Sequence, residues 1–455
     1  MCLEGEIKMK KSEVLIVGGS AAGIVAGITA KQCYKNVKVT LIRKEKQVLI
    51  PCGLPYIFGT LGSVEKDVVP DTILSKNGID LIVDEVQSID RNNKTVATSR
   101  GKTIGFDKLV LATGSSPIIP PIPGIDLGNV FVAKKDFDYL NTLLKTLDIA
   151  RNIVIIGGGF IGVEFADEFN KRGLNVTIVE LLPHCLQLVF DEEFCVRAEN
   201  KLSERGITIM TNNRANKIVG DKKVKEVELS SGKKLKCDIV FLGIGVAPNT
   251  KLAKEAGLKI GEHRGIWVDE YMRTSDENIF AVGDCAEKTS LLTKKLLGAR
   301  LASAATREAR IAGANLFQLK RKNEGGICTF STIIGDLGIG GAGLTEKAAK
   351  DAGFDIFIGR ATTLDKHPAG LPSAAEMNVK LVFEKETKKM LGGQISGGST
   401  TAEVTNIFAV LIQANMKVEE VVTFQMGTHP MLTASPIAYP IVTAAENAMA
   451  RDRVS

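Results

Sequence analysis

Cys52 is the residue whose type and setting best suit redox chemistry. It stands in Pro51-Cys52-Gly53-Leu54-Pro55-Tyr56, where one glycine and two prolines disfavour a helix interior and favour a tight corner. A thiol reacts as its thiolate. From an ordinary pKa of about 8.5 it ionises readily only beside positive charge or a helix N-terminus. Free cysteine is also a common core residue, so the corner by itself leaves a packing role open.

Two glycine turns frame this corner. Val14-Leu15-Ile16-Val17 runs into Gly18-Gly19-Ser20-Ala21-Ala22-Gly23 and a small-residue stretch to Ala30, the pattern of strand, turn and helix. Such a turn brings helix N–H groups and the positive end of the helix dipole onto a pyrophosphate. Ser20 replaces the middle glycine of the usual motif. The next strand, over 37–42, is followed by Arg43 and Lys44, with Glu45 late for an acid that binds ribose. Either Glu45 makes that contact or Arg43 covers the nucleotide by stacking and charge.

The second turn is more complete. Ile153-Val154-Ile155-Ile156 leads into Gly157-Gly158-Gly159-Phe160-Ile161-Gly162 and a helix to about 172. A strand over 175–179 then ends in Glu180, 18 residues after Gly162. This matches the dinucleotide fingerprint, whose acid accepts hydrogen bonds from ribose hydroxyls. The same carboxylate repels a 2′-phosphate, which favours NADH over NADPH.

A chain of 455 residues should divide into about three domains of ~150 residues each. With 44% apolar and 24% charged residues it reads as a globular protein able to bury real cores. A net charge of +6, spread along the chain, carries no nucleic-acid signature. Eight cysteines without CxxC pairs, and no secretory signal, read as reduced cytoplasmic thiols. Apolar runs such as 153–156 are strand-length, so no membrane span is expected. The four histidines, His184, His263, His367 and His429, lie too far apart in sequence to suggest a metal site.

Further along, Leu109-Val110-Leu111 precedes Ala112-Thr113-Gly114 and prolines at 117, 120, 121 and 123, a natural crossover between domains. A helix over 191–205, short alternating strands, and a segment over 237–245 ending in Gly245 complete the second unit. Ile279-Phe280-Ala281-Val282-Gly283-Asp284 is another strand ending in Gly-Asp, before a helix over 299–318. Beyond Lys322-Asn323-Glu324-Gly325-Gly326 the pattern predicts strands over 329–335, 355–363, 379–384 and 390–395, with helices over 345–352 and 401–416. This last region has no nucleotide motif.

Two nucleotide units, Ala-Thr-Gly, Gly-Asp and one early cysteine together resemble the pyridine nucleotide–disulfide oxidoreductases, over essentially the whole chain. Cys-Gly-Leu-Pro-Tyr is similar to the corner of their single-cysteine branch. That branch holds NADH oxidases and peroxidases, coenzyme A-disulfide reductases, and NAD(P)H persulfide or polysulfide reductases. The resemblance implies an α/β fold of two Rossmann-like dinucleotide-binding domains plus an α+β dimerisation domain. The FAD-binding domain would be discontinuous (1–120 and 246–323), around an NAD(H)-binding domain (121–245), with dimerisation by 324–455. FAD would lie on Gly18, Gly19, Ser20, Ala22 and Gly23. Ala112, Thr113, Gly114 and Gly283 would close its site, and Asp284 would hold the ribityl chain. NADH would lie on Gly157, Gly159, Ile161, Gly162, Glu180 and Gly245. Phe160 is placed like the aromatic gate over the nicotinamide face of the flavin. Glu164 is placed like the buried acid beside the flavin, with a solvated helix acid as its alternative.

The C-terminal region departs from the branch. Gly427-Thr428-His429-Pro430-Met431-Leu432-Thr433 is similar to the His-Pro segment of two-cysteine reductases, whose histidine enters the partner subunit's site as acid and base. Ala434 stands where those enzymes carry a supporting glutamate. His429 is thus either catalytic or part of a structural turn. The implied chemistry is hydride from NADH to FAD, then two electrons to Cys52, in a homodimer. With no neighbouring second cysteine, Cys52 would hold its oxidised state as a mixed disulfide, persulfide or sulfenic acid. Candidate acceptors are coenzyme A disulfide, coenzyme A persulfide or polysulfide, with Tyr56 either sharing the pocket or packing in the turn. O₂ reduction by an NADH oxidase, or reduction of a small electron-carrier protein, is the alternative.

Overall fold

Short β-branched runs ending in glycine turns build the first sheet of the computed structural model, which describes residues 10–452. Strand Lys10–Val17 is central, parallel to Val39–Arg43 on one side and Thr103–Leu111 on the other. Ile79–Val83 extends one edge in parallel, and Ile279–Ala281 joins the end of Thr103–Leu111. The hairpin of Val86–Asp90 and Thr95–Thr98 pairs antiparallel with the start of that same strand, giving seven strands. Val14, Leu15 and Ile16 are fully buried without alternation, as expected of parallel strands covered on both faces. The strand ends that carry Gly18, Ala112 and Val282 therefore converge, although they come from distant parts of the chain.

The second unit repeats the scheme. Five parallel strands run in the order Val130–Val132, Ile239–Leu242, Asn152–Ile156, Asn175–Val179, Thr208–Met210. A three-stranded antiparallel sheet of Ala215–Gly220, Val224–Leu229 and Lys234–Lys236 flanks it. The proline-rich connector is tied to its return path: Ser115–Pro117 pairs antiparallel with Val246–Pro248. Both turns have the same strained start, with Gly18 at φ +116° and Gly157 at φ +107°, a region open to glycine and closed to most residues.

The third sheet is antiparallel, in the order Thr329–Ile334, Leu337–Gly343, Met390–Gly397, Glu376–Glu384, Ile356–Leu364. Helices Thr401–Gln413 and Pro440–Asp452 pack on it. Leu337–Gly343 is absent from the sequence reading because its glycines look like a turn. They are needed for packing: a Cβ at Gly340 would stand 2.2 Å from the Thr405 hydroxyl of the covering helix.

Several predicted boundaries shift. The helix expected over 299–318 is Ala302–Asn315, because Leu301 is extended at φ −127° and ψ 140°. That expected over 401–416 ends at Gln413, and Asn415 turns left-handed at φ 55°. The strand expected over 37–42 is Val39–Arg43.

Among the described residues, no helix is long and apolar enough to cross a membrane. No group of three or more His, Cys, Asp or Glu in them is arranged to hold a metal ion. Their seven cysteines are all free.

Candidate active site

Both glycine turns open into one cleft of about 2660 Å³, well beyond the ~300–1,000 Å³ of a single small-ligand pocket. Ser20, Ala21 and Ala22 line it at the start of helix Ala21–Cys33; Gly159, Phe160 and Ile161 line it at the start of helix Phe160–Lys171. Neither helix has a side-chain hydrogen bond at its N-cap, so backbone N–H groups remain available to an anionic ligand. Glu180 lies on the same wall, with Oε2 accepting from the Gly158 N–H at 2.5 Å and Oε1 from that of Leu182 at 2.7 Å. Volume, free donors and a carboxylate beside the second turn together fit two dinucleotides, FAD and a nicotinamide nucleotide.

Other predicted residues meet there too. Ala112, Gly114, Gly157, Gly245, Gly283 and Asp284 line the cleft, together with Cys52, Tyr56 and Glu164. Asp284 accepts a hydrogen bond from the Ser115 hydroxyl at 2.7 Å. Thr113 sits behind the wall and is held by Asn249, through Oγ1 to the Asn249 carbonyl at 2.7 Å. Gly18, Gly19, Gly23 and Gly162 also lie behind it, where they let strand, turn and helix approach closely. Neither Arg43 nor Glu45 stands on the wall. The buried Arg43 guanidinium is spent on Asp71 at 2.7 Å and on the carbonyls of Glu45 and Lys46, each at 2.9 Å. His429 is exposed on a loop away from this chain's cleft; its Nδ1 accepts from the Met431 N–H at 3.3 Å.

Cys52 is exposed to the cleft at the end of a tight turn closed by the Gly53 N–H on the Ile50 carbonyl at 2.9 Å. The following turn of 3₁₀ helix, Leu54–Ile57, plants Leu54 and Ile57 in the core and leaves Tyr56 half-buried on the wall. Loss of water around the thiol pushes its pKa up, Glu164 pushes the same way, and Lys135 opposes them. Burial, helped by Glu164 and Glu168, raises the Tyr56 phenol to about 12, so it is a hydroxyl donor at neutral pH. Glu164 rises to about 7, chiefly through burial, while a hydrogen bond from the Thr332 hydroxyl at 2.8 Å restrains the shift. A carboxyl that holds a proton near neutrality, a phenol and a thiol thus face one space, a set suited to proton and sulfur chemistry.

Several contributors are not in the sequence reading. Lys288 and Glu308 form a buried ion pair at 2.7 Å, and both grip Gly283: Glu308 accepts its N–H at 2.9 Å and Lys288 donates to its carbonyl at 2.9 Å. They fix the turn that presents Asp284. An acid in a helix and a lysine in a loop give no signal of this before folding. Thr332 comes from the third sheet, and Phe330 beside it packs on Phe160 with ring centres 5.2 Å apart. The third region therefore completes the cleft of its own chain.

Residues 12–309 match the family described as pyridine nucleotide-disulphide oxidoreductase, and residues 329–437 match that family's dimerisation domain. An NADH oxidase of Methanocaldococcus jannaschii is 33% identical over 446 residues, 96% of this chain and 98% of that protein. An NAD(P)H coenzyme A polysulfide/persulfide reductase of Pyrococcus horikoshii is 34% identical over 412 residues, 88% of this chain and 91% of that protein. Among solved structures, an NAD-dependent persulfide reductase from A. fulgidus superposes with a TM-score of 0.91 at 32% identity, covering 97% of this chain and 84% of that one. With paired glycine turns opening on one cleft and the family's two parts matched in order, the chain belongs to the pyridine nucleotide-disulphide oxidoreductases, flavoenzymes that work with FAD and NAD(P)H.

Proposed function

We propose that this protein is an NADH-dependent reductase of a small disulfide or persulfide, of the coenzyme A class, and that Cys52 is its single redox thiol. The observation that carries this reading is the exposed residue Cys52 on the wall of the cleft that both glycine turns enter. FAD, when bound on the first turn, supplies the relay that turns the hydride of NADH into an electron pair for sulfur.

The chain's own residues would act as follows. Cys52 thiolate attacks one sulfur of RS–SR, forming a Cys52–S–S–R bond and expelling RS⁻. Two electrons from NADH then cleave that bond, returning Cys52 to the thiolate and releasing the second RS⁻. With a persulfide the same attack expels hydrosulfide. The net reaction, NADH + H⁺ + RSSR → NAD⁺ + 2 RSH, consumes a proton; Tyr56 holds one at neutral pH, and Glu164, raised to about 7, exchanges one there, both facing the cleft. Gly157, Gly159 and Ile161 would seat NADH, Glu180 would take its ribose and disfavour NADPH, and Phe160 would cover the nicotinamide site. Ser20, Ala22, Ala112, Gly114 and Asp284 would seat FAD. The exposed loop of His429, with Met431, Leu432 and Ile437 at 46%, 65% and 94% exposure, suits burial in a homodimer, where His429 would protonate a leaving thiolate in the partner's cleft. Free thiols throughout the described chain agree with a cytoplasmic enzyme.

The likeness to an NADH oxidase supports a second reading, in which O₂ is the acceptor and Cys52 cycles through a sulfenic acid. NADH consumption with coenzyme A disulfide, coenzyme A persulfide and O₂ separates the two. Under the first reading, Cys52→Ser lowers turnover with both sulfur substrates by roughly 10³-fold or more, since the hydroxyl is a far weaker nucleophile than a thiolate. Undiminished sulfur turnover in that variant would refute it, and O₂ as the sole effective acceptor of the wild type would favour the second.

A further inference from the structure

Gly53 and Asp67 meet behind the Cys52 corner. The chain leaves strand Val48–Leu49, makes the corner, and returns through Val68–Val69, which pairs antiparallel with it. The Ile50 N–H donates to the Asp67 carbonyl at 3.0 Å and closes the base of this excursion. Asp67 is folded under the turn at 1% exposure, and its Oδ2 has no hydrogen-bond partner. A Cβ added at Gly53 would stand 1.8 Å from Asp67 Oδ1, so the residue after Cys52 gives up its side chain to make room for the acid. A buried carboxyl without a cation costs stability that an apolar side chain would not.

We propose that Asp67 is a positioning residue that acts through Cys52: its carboxylate, packed beneath the turn against Gly53, makes the Cys52 thiolate a stronger nucleophile and reductant. The proposal rests on Cys52 being the redox thiol. A nearby negative charge disfavours a thiolate. Intrinsic nucleophilicity rises with thiol pKa, with a slope of about 0.4–0.5, and a less stabilised thiolate gives a less oxidising disulfide. The other charges facing Cys52 are Glu164 on helix Phe160–Lys171, Lys135 just before helix Phe137–Leu147, and Asp284 in the Gly283–Cys285 turn, with the Tyr56 phenol on its own segment. Among these Asp67 alone is fully buried and off the cleft wall. It can act on the sulfur without touching an incoming substrate. Burial lifts its carboxyl to about 6, so its charge is present at pH 7 and fades as pH falls through that value.

The test is the rate of Cys52 alkylation by iodoacetamide against pH in the NADH-reduced holoenzyme, followed by mass spectrometry of the Cys52 peptide. Asp67→Asn should lower the titration midpoint by a few tenths of a pH unit and, on the alkaline plateau, slow alkylation by about 1.5-fold. Asp67→Ser, which needs less space, should give the same pair of changes and covers a failure of the first variant to fold. Glu65→Gln, exposed in the same short helix Glu65–Asp67, should change neither quantity. An unchanged midpoint, or a lower midpoint with an equal or faster plateau, overturns the proposal, because mere loosening of the corner would only improve access. The titration reads the Cys52 proton directly, so its outcome stands apart from whether turnover requires Cys52.

Discussion

In the first glycine turn the Gly18 N–H donates to the Ile42 carbonyl at 2.8 Å; in the second the Gly157 N–H donates to the Val179 carbonyl at 2.9 Å. Arg43 and Glu180, the residues that follow those carbonyls, therefore occupy equivalent points in the two units. Their uses are opposite. Glu180 folds back onto its turn and lines the cleft. Arg43 runs its stem under Gly19, whose Cβ would meet Arg43 Cδ at 2.5 Å, and carries its charge away to Asp71. One position thus serves once as a ligand-facing acid and once as a tie between a turn and its neighbouring loop. A dinucleotide on the second unit would, on the proposed reading, meet backbone donors and a carboxylate. On the first it would meet backbone donors, with specificity left to other parts of the cleft such as Asp284.

Making the second unit resemble the first should have the larger effect. Glu180→Arg should raise KM for NADH by about 10- to 100-fold, the worth of a charged hydrogen bond, and lower KM for NADPH. Steady-state kinetics with both nucleotides checks this, and an unmoved KM for NADH would mean that the second turn binds through its backbone alone. Arg43→Met keeps the stem under Gly19 and removes the guanidinium. It should destabilise the protein by about 2 kcal/mol, read as a lower thermal midpoint, while KM for NADH stays within about twofold. A large change in nucleotide affinity there would erase the contrast between the two positions.

What the sequence carried openly were features set by local geometry. A β-branched run into glycines, with Glu180 at the next strand end, has few readings because strand, turn and helix must fit one another over some thirty residues. Arg43 was legible as an anomaly, yet its partner Asp71 was not, since that pair forms only when the loop after the Cys52 corner folds back. Asp67 left no trace in Glu65-Lys66-Asp67, an ordinary charged stretch. Two strands of two residues each bring it under Gly53, too short to be read from periodicity. Leu337–Gly343 was hidden for a different reason: its glycines serve a helix packed above it. Glu164 could be placed on the cofactor side of its helix, but its neutral-range proton depends on burial and on Thr332, which the third region delivers.

Cys52 as the redox thiol is tested most directly by what becomes bonded to it. The holoenzyme with Cys52 as the free thiol and NADH removed, treated with coenzyme A disulfide and digested without reductant, should yield a Cys52 peptide heavier by one coenzyme A thiolate, and NADH should remove that mass at the rate of turnover. A Cys52 peptide that stays unmodified while the enzyme continues to reduce the disulfide would contradict that role.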